Sequence, residues 1–460
     1  MILFADDSLA SIATALRKVN IEDLLLPVLI QLIVIILVAR LFGMLLRKLG
    51  QPTVVGEVVA GIAMGPSLFG ALFPALSAAV FVPHLDGVPD PITAAMYPKI
   101  FSVLSQIGLI FILFLVGLEF EFHHLKQNGR SALLISLIGV IFPFALGAAL
   151  APAIYPYLEA HPATGLPVER FGLVLFLGIA MSITALPVLG RMMIEWGINR
   201  TQLGAIVITA AAINDAIGWI LLASVVALAK AHFDIVDTLK MIGLTIGFSA
   251  ILFYVARPIL IGFFARSLAK SGGTLTLNAT AFLIVVMFVC ATLTNLIGIF
   301  AIFGAFLLGA VLSDQDALRE AITNRMRDFV TSFFLPIFFT YTGLRTEIGS
   351  LNGTTMWLIC GAVILAAIVG KLLGCGLAAR MTGFSRKESS LVGIMMNTRG
   401  LMELIVINVG YDIGAIPKSL FCMLVLMAVV TTVMTTPLIR IFARGTEIEA
   451  PLKQSGFLIG

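Results

Sequence analysis

Of 460 residues, 60% are hydrophobic and only 12% are charged, about half the ~25% charge of an ordinary soluble domain. A chain this poor in charge cannot cover the surface of a soluble globule, and a formal net charge of +4 is too small for a nucleic-acid surface. What remains is an all-α, polytopic membrane protein whose first partner is lipid.

A hydrocarbon core about 30 Å thick takes roughly 20 apolar residues of helix. That window predicts thirteen spans, at about 24–46, 53–70, 99–118, 131–155, 170–194, 201–229, 238–262, 276–294, 297–312, 329–344, 355–379, 388–409 and 418–441. Residues 1–23 read as a short lead-in with no cleavable apolar core, and 443–460 as a short tail. The second and ninth spans are short and glycine-rich, as expected of helices packed in protein. With the N-terminus outside, nineteen Lys and Arg fall in cytoplasmic segments and eight in outer ones. This asymmetry predicts an external N-terminus and a cytoplasmic C-terminus; the membrane is expected to be the cell inner (plasma) membrane. Cys290, Cys360, Cys375 and Cys422 are widely spaced in apolar runs and are expected to pack as small apolar side chains. His123 and His124 have no further ligands nearby, and Glu119 and Glu121 lie at a membrane edge.

The third predicted span ends FILFLVGLEFE (111–121) and the tenth PIFFTYTGLRTE (336–347); the second carries VAGIAMG (59–65) and the ninth FGAFLLG (303–309). Both pairings have an offset of seven spans. An odd offset turns the second copy over in the membrane, the inverted repeat of secondary transporters. It divides the chain into repeat one (about 24–229), a linker helix (about 238–262) and repeat two (about 276–441). The fifth and twelfth spans are then partners, and both look broken. The fifth holds Ser182-Ile183-Thr184-Ala185-Leu186-Pro187, where Pro187 removes a backbone donor and clashes with the Ile183 carbonyl. The twelfth holds Asn397-Thr398-Arg399-Gly400, too polar for a lipid-facing helix. Each alone reads as a plain kink; at repeat-related positions they predict two crossed broken helices whose dipole ends face an ion.

Charges inside spans complete the pattern. Asp215 lies near the centre of the sixth, where a carboxylate costs about 2.5–3.5 kcal/mol or more. It persists there by being protonated, paired or bound to a cation, and alternation among those states is what cation–proton coupling requires. Asn214 beside it reads as a hydrogen-bonding group. Lys371, deep in the eleventh span, is expected to support the site by pairing with a carboxylate or donating to broken-helix carbonyls; release of its own proton is the third possibility. Arg399 and Glu403 are one helical turn apart and read as a pair. Glu57, about one turn into the second span, reads as a funnel acid or as the partner of a nearby base. There is no phosphate-binding loop, no carbonyl selectivity filter, and no cofactor or enzymatic motif.

The stretches GEVVAGIAMGPSLFG (56–70), FLVGLEFE (114–121), SITALPVLGRMM (182–193), INDAIGWILLA (213–223), FLPIFFTYTGLRTEI (334–348), GKLLG (370–374) and NTRGLMELIVINVG (397–410) resemble the monovalent cation:proton antiporters of the second antiporter family, in the branch of plant and bacterial cation/H⁺ exchangers. The resemblance implies a core domain with crossed broken helices that moves against a dimerisation domain, hence a homodimer. It makes Asp215 the ion- and proton-binding aspartate, Thr184 the polar position at the first break and Lys371 the basic residue of the following half. Asn214 departs from the Asp-Asp pair of electrogenic members and from the Gln-Asp of glutathione-gated potassium efflux systems. Ala210 stands where sodium/proton exchangers of the first antiporter family carry glutamate. The C-terminal regulatory domains of many relatives have no counterpart here.

The expectation is an electroneutral exchanger of Na⁺ or K⁺ for H⁺, with the monovalent cation at Asp215 and Asn214, Thr184 and Ser182 around it. Lys371, held charged by carbonyls and by Asp215, supports the site with Arg399, Glu403 and Glu57. The rival readings are a sodium-coupled organic-anion symporter on a related fold and a non-transporting sensor or channel subunit.

Overall fold

Helix α1 (Ile21–Lys48) sets the pattern for the lipid-facing elements. Asn20 caps it by accepting from the Glu22 amide at 3.3 Å, and Arg47 and Lys48 occupy its last turn, the negative end of the helix dipole. Val28, Gln31, Ile35, Ala39 and Gly43 form a narrow buried stripe at helical spacing, while Leu29, Ile33 and Leu37 on the opposite side stay exposed. The computed structural model describes residues 20–84, 90–119, 129–160, 165, 167–199, 201–230 and 235–458. Most of the lead-in, together with Glu121, His123 and His124, lies outside the described residues.

The other helices follow as α2 (Thr53–Met64), α3 (Phe69–Leu72), α4 (Pro74–Phe81), α5 (Asp90–Leu118), α6 (Gly129–Ile154), α7 (Arg170–Ser182), α8 (Leu186–Glu195) and α9 (Gln202–Lys230). Then α10 (Ile235–Ile251) runs through a π-helical turn, Leu252–Ala256, into α11 (Arg257–Lys270), followed by α12 (Leu277–Ile297) and α13 (Ala301–Leu312). Next, α14 (Asp316–Phe329) passes through a second π-helical turn, Val330–Phe334, into α15 (Leu335–Leu344). The chain closes with α16 (Gly353–Met381), α17 (Arg386–Met396), α18 (Leu401–Asp412), α19 (Lys418–Phe442) and α20 (Glu449–Gln454). No strand occurs among the described residues.

All thirteen predicted stretches are helical, but thirteen spans are not reached by length and apolarity. Ten helices among the described residues qualify, and α17 with α18, bent by 45°, makes eleven. The ninth stretch falls short because α13 has 12 residues, and the tenth because its apolar part, α15, has 10. Both are enclosed by other helices rather than by lipid, so nothing requires them to match the bilayer with their own apolar length. The seventh reaches farther than expected, as one apolar helix from Leu239 to Lys270. The four cysteines are free and buried.

The helices sort into two groups. One gathers α6, α7, α9, α16, α17, α18 and α19; the other pairs α2 with α1 and α15, and α13 with α5 and α12. Glycines set the closest approaches in the second group. A Cβ on Gly343 of α15 would lie 2.6 Å from the Gly61 Cα and the Val58 carbonyl of α2. On α5, a Cβ on Gly117 would lie 3.1 Å from the Gly309 Cα and 2.3 Å from the Phe306 carbonyl of α13. The two crossings are equivalent, but their register corrects the sequence pairing by one helical turn: Gly309 corresponds to Gly61, not Gly65. The motif similarity aligned glycine with glycine, whereas contact alone decides which glycine faces the partner.

Between the groups, the Arg345 guanidinium at the end of α15 reaches Asn408 at 2.9 Å and Asp412 at 2.5 Å on α18, and it lies over the Tyr411 ring, 4.7 Å from its centroid. Lys418 at the start of α19 pairs with Glu347 beside it. The final residues pack rather than trail. Ile448 and Leu452 are buried, and the Phe457 ring meets Trp196 with centroids 4.6 Å apart. Hydrogen bonds from Lys453 and the Gly445 amide hold the Glu449 carboxyl below its ordinary range.

Backbone atoms cannot yield to an added methyl group, so Gly343→Ala is expected to destabilise by about 3 kcal/mol. Gly361, with nothing within 4 Å of its Cβ position, serves as control. Thermal unfolding of both purified variants checks this: Gly361→Ala should melt like wild type and Gly343→Ala well below it.

Candidate functional site

The fifth and twelfth spans are broken, and the breaks meet. Helix α7 ends at Ser182 and α8 begins at Leu186; α17 ends at Met396 and α18 begins at Leu401. The helix is broken here as expected, but Pro187 does not act by removing a helical donor or clashing with the Ile183 carbonyl. It sits in the first turn of α8, where its missing donor costs nothing. The interruption is Ile183, Thr184 and Ala185, and the Ala185 amide there donates to the Thr398 carbonyl at 3.0 Å. The two unwound stretches are thereby joined main chain to main chain.

Unwinding strips helix ends of their internal partners, and buried side chains replace them. At the end of α7, Arg399 donates to the carbonyls of Ala180 at 2.5 Å and Met181 at 2.7 Å, and Lys371 donates to that of Ser182. Lys371 also donates to the Gly139 carbonyl at 2.9 Å and to the Thr184 hydroxyl at 2.9 Å, which occupies all three of its N–H groups. At the end of α17, the Thr184 hydroxyl donates to the Met396 carbonyl at 2.9 Å. Ser182 turns its hydroxyl toward the carbonyls of Gly178 at 2.7 Å and Val140 at 3.0 Å. Both cations thus sit at the negative end of α7.

Asp215 and Asn214 come from the middle of α9. The Asn214 side-chain oxygen accepts from the Thr184 amide at 3.0 Å, so it anchors the first break as a hydrogen-bonding group. Asp215 is 2% exposed, and neither of its carboxylate oxygens has a hydrogen-bond partner among the described residues. The backbone amide of Leu186, the first residue of α8, faces this carboxyl. Lys371 acts on it through space only; no ion pair joins them within 4 Å. The expectation that Asp215 holds Lys371 is corrected here, because main-chain carbonyls and Thr184 occupy the ammonium.

Arg399 and Glu403 form the expected one-turn ion pair, with both side chains fully buried. The reach of Arg399 across to α7 was not visible in the sequence, since it depends on the crossing of the two breaks. Glu57 is buried and lies 3.7 Å from Arg40 of α1, apart from the breaks. At the membrane edge, Glu119 pairs with Arg327.

Sequence reasoning placed α19 as the last span but missed its polar contact with the second break. Thr432 accepts from the Arg399 amide at 3.1 Å and donates to the Arg399 carbonyl at 2.7 Å, and Thr435 faces the Thr398 hydroxyl at 3.3 Å. The signal was present as TTVMTT (431–436), two pairs of hydroxyls one helical turn apart.

Among known proteins, the family model described as sodium/hydrogen exchanger, transmembrane, matches residues 33–444. The chain is 39% identical over 422 residues to the Na⁺/H⁺ antiporter NhaS4 of Synechocystis, covering 90% of this chain and 97% of that one. It is 36% identical over 415 residues to cation/H⁺ antiporter 17 of Arabidopsis thaliana, covering 90% of this chain but 48% of the plant protein. It is 31% identical over 412 residues to K⁺/H⁺ antiporter 1 of Saccharomyces cerevisiae, covering 89% of this chain and 46% of that one. The chain therefore spans about half the length of those two relatives. A solved structure of the sodium proton antiporter MjNhaP1 from Methanocaldococcus jannaschii superposes with a TM-score of 0.61 at 17% identity, covering 94% of this chain and 100% of that one. That likeness establishes the fold.

Removing one member of a buried pair leaves an uncompensated charge. Glu403→Gln is therefore expected to lower the unfolding free energy by about 3 kcal/mol. Glu195→Gln, which breaks the exposed pair with Arg191, is expected to change it by less than about 0.5 kcal/mol. Denaturant unfolding of the two purified variants measures the contrast.

Proposed function

This chain belongs to the sodium/hydrogen exchanger family, and we propose that it exchanges one monovalent cation, Na⁺ or K⁺, for one proton at Asp215. The observation that carries the reading is an asymmetry of compensation. The buried cations, Lys371 and Arg399, are occupied by helix carbonyls, whereas the buried Asp215 carboxylate has no hydrogen-bond partner among the described residues. A bare carboxylate in that medium is unfavourable by several kcal/mol. Binding a proton or a partly dehydrated cation relieves the cost equally well, and the empty charged form crosses poorly. One group that must be occupied to cross, with two alternative occupants, is an exchanger.

Oxygen ligands complete the cation's shell. Ser182 and Thr184 direct their protons to carbonyls, so their oxygen lone pairs remain for a hard cation, with water supplying the rest. Alternating access moves the group built on α6, α7, α9, α16, α17, α18 and α19 against the group of α1, α2, α5, α12, α13 and α15. The pairs Arg345–Asp412 and Lys418–Glu347, which join those groups at one end, open during this movement. The repeated glycine crossings support two repeats, at about 24–229 and 276–441, around a linker helix. The lipid-exposed faces of α1 and α10 are where this reading puts a homodimer contact. The loop arginines support an external N-terminus and a cytoplasmic C-terminus in the inner (plasma) membrane. The names of the relatives favour antiport over an organic-anion symporter or a sensor or channel subunit.

Asp215→Asn is expected to abolish exchange while leaving expression near normal, because an amide carries no proton and its burial costs less than a charge. Wild-type exchange rates in this variant, measured in proteoliposomes, would overturn the assignment. In the wild type, proton and cation compete for one group. In the acid limit the apparent cation constant is then expected to rise about tenfold for each unit of falling pH, and a constant flat from about pH 5 to 9 contradicts a shared site.

The count of one proton rests on two residues. Asn214 does not titrate, and Lys371 keeps its proton because all three of its N–H groups are donating. Exchange is therefore expected to be indifferent to a clamped membrane potential. A current on cation addition that disappears in Lys371→Gln would assign a second proton to the lysine.

A further inference from the structure

We propose that Thr432 of α19 is a positioning residue that sets the cation affinity and selectivity of the site without touching the cation; this rests on the exchange reading above. A single hydroxyl engages both polar groups of Arg399. It accepts from the Arg399 amide at 3.1 Å, and its proton is shared between the Arg399 carbonyl at 2.7 Å and the Ala428 carbonyl of its own helix at 2.8 Å. Arg399 has left the regular helix at this point, and both it and Thr432 are buried. One turn on, the Thr435 hydroxyl accepts from the Thr398 hydroxyl at 3.3 Å.

What Thr432 holds is the residue on which both breaks converge. The Arg399 side chain carries the last carbonyls of α7. The neighbouring Thr398 carbonyl accepts the Ala185 amide, and Ala185 immediately precedes the α8 residue whose amide faces Asp215. Thr184, on the other side of Ala185, is tied to Asn214. Displacement of the Arg399 main chain therefore moves the carbonyls, the hydroxyl and the helix terminus around Asp215 together. Discrimination between Na⁺ and K⁺ depends on ligand spacing of tenths of an ångström, and a loosened cage accepts both.

The test measures exchange by the purified full-length protein in proteoliposomes, with Na⁺ and K⁺ in turn. Thr432→Val keeps the shape and removes the hydroxyl, leaving the Arg399 amide and carbonyl unpaired. It is expected to raise the apparent constant for the preferred cation about tenfold and to bring the ratio of the two constants toward one. Thr432→Ser restores the hydroxyl and is expected to return both readouts close to wild type. A Thr432→Val variant that loses maximal rate equally for both cations, with constants and their ratio unchanged, overturns the proposal and leaves a packing role. Failure of the serine to rescue overturns it as well. If the valine variant does not fold, Thr432→Cys, a much weaker donor and acceptor, replaces it, and the same split decides. Absence of exchange in the wild type instead removes the functional reading itself, and the proposal with it.

Discussion

Backbone polar groups at membrane depth have no water to turn to, and this one requirement organises the centre of the protein. Two helices unwind there, which exposes carbonyls at the ends of α7 and α17 and amides at the starts of α8 and α18. Every such group must be met from within the protein. Crossing the breaks answers part of the need directly, through the Ala185 amide and the Thr398 carbonyl. The remainder calls in Lys371, Arg399, Thr184 and Thr432 from four different segments. The polar residues of this apolar chain are concentrated at that point because the backbone there needs them.

The same requirement explains the electrostatics. A buried lysine and a buried arginine would each be costly if bare, yet both serve as donors to helix ends, where partial negative charge already gathers. Glu403 balances Arg399. Asp215 is the member of this set left without a hydrogen-bonding partner among the described residues. Charges met by partners and a charge left bare thus lie within one cluster, separated by what each one touches. Asn214 sharpens the division, since its amide fastens the first break while adding no second titrating group.

Away from the breaks the protein is built by close approach. Gly61 against Gly343, and Gly117 against Gly309, bring two helix pairs into backbone contact, where dispersion replaces the hydrophobic drive that lipid does not supply. These rigid pairs form a base next to the group carrying the breaks. Between the groups, the Trp219 ring of α9 packs against Phe303 and Phe306 of α13, and the polar ends of α15, α18 and α19 meet at Arg345, Asp412, Glu347 and Lys418.

The amino-acid sequence by itself determined the class, the helical stretches, both breaks and the burial of Asp215, because these follow from local properties. Apolar length, a proline beside hydroxyls, and a carboxylate too deep for lipid are all legible along one strand of chain. It also determined the Arg399–Glu403 pair, whose partners are one turn apart. The number of helices long enough to span was not legible, because α13 and α15 are covered by protein, and their length answers to neighbours instead of the bilayer. The one-turn register of the glycine crossings, the three acceptors of Lys371 and the hold of Thr432 on Arg399 were decided only by tertiary structure. Each joins residues tens to hundreds of positions apart, and a hydrogen bond between such residues exists only once the crossing of the breaks has brought them within 3 Å or so of each other.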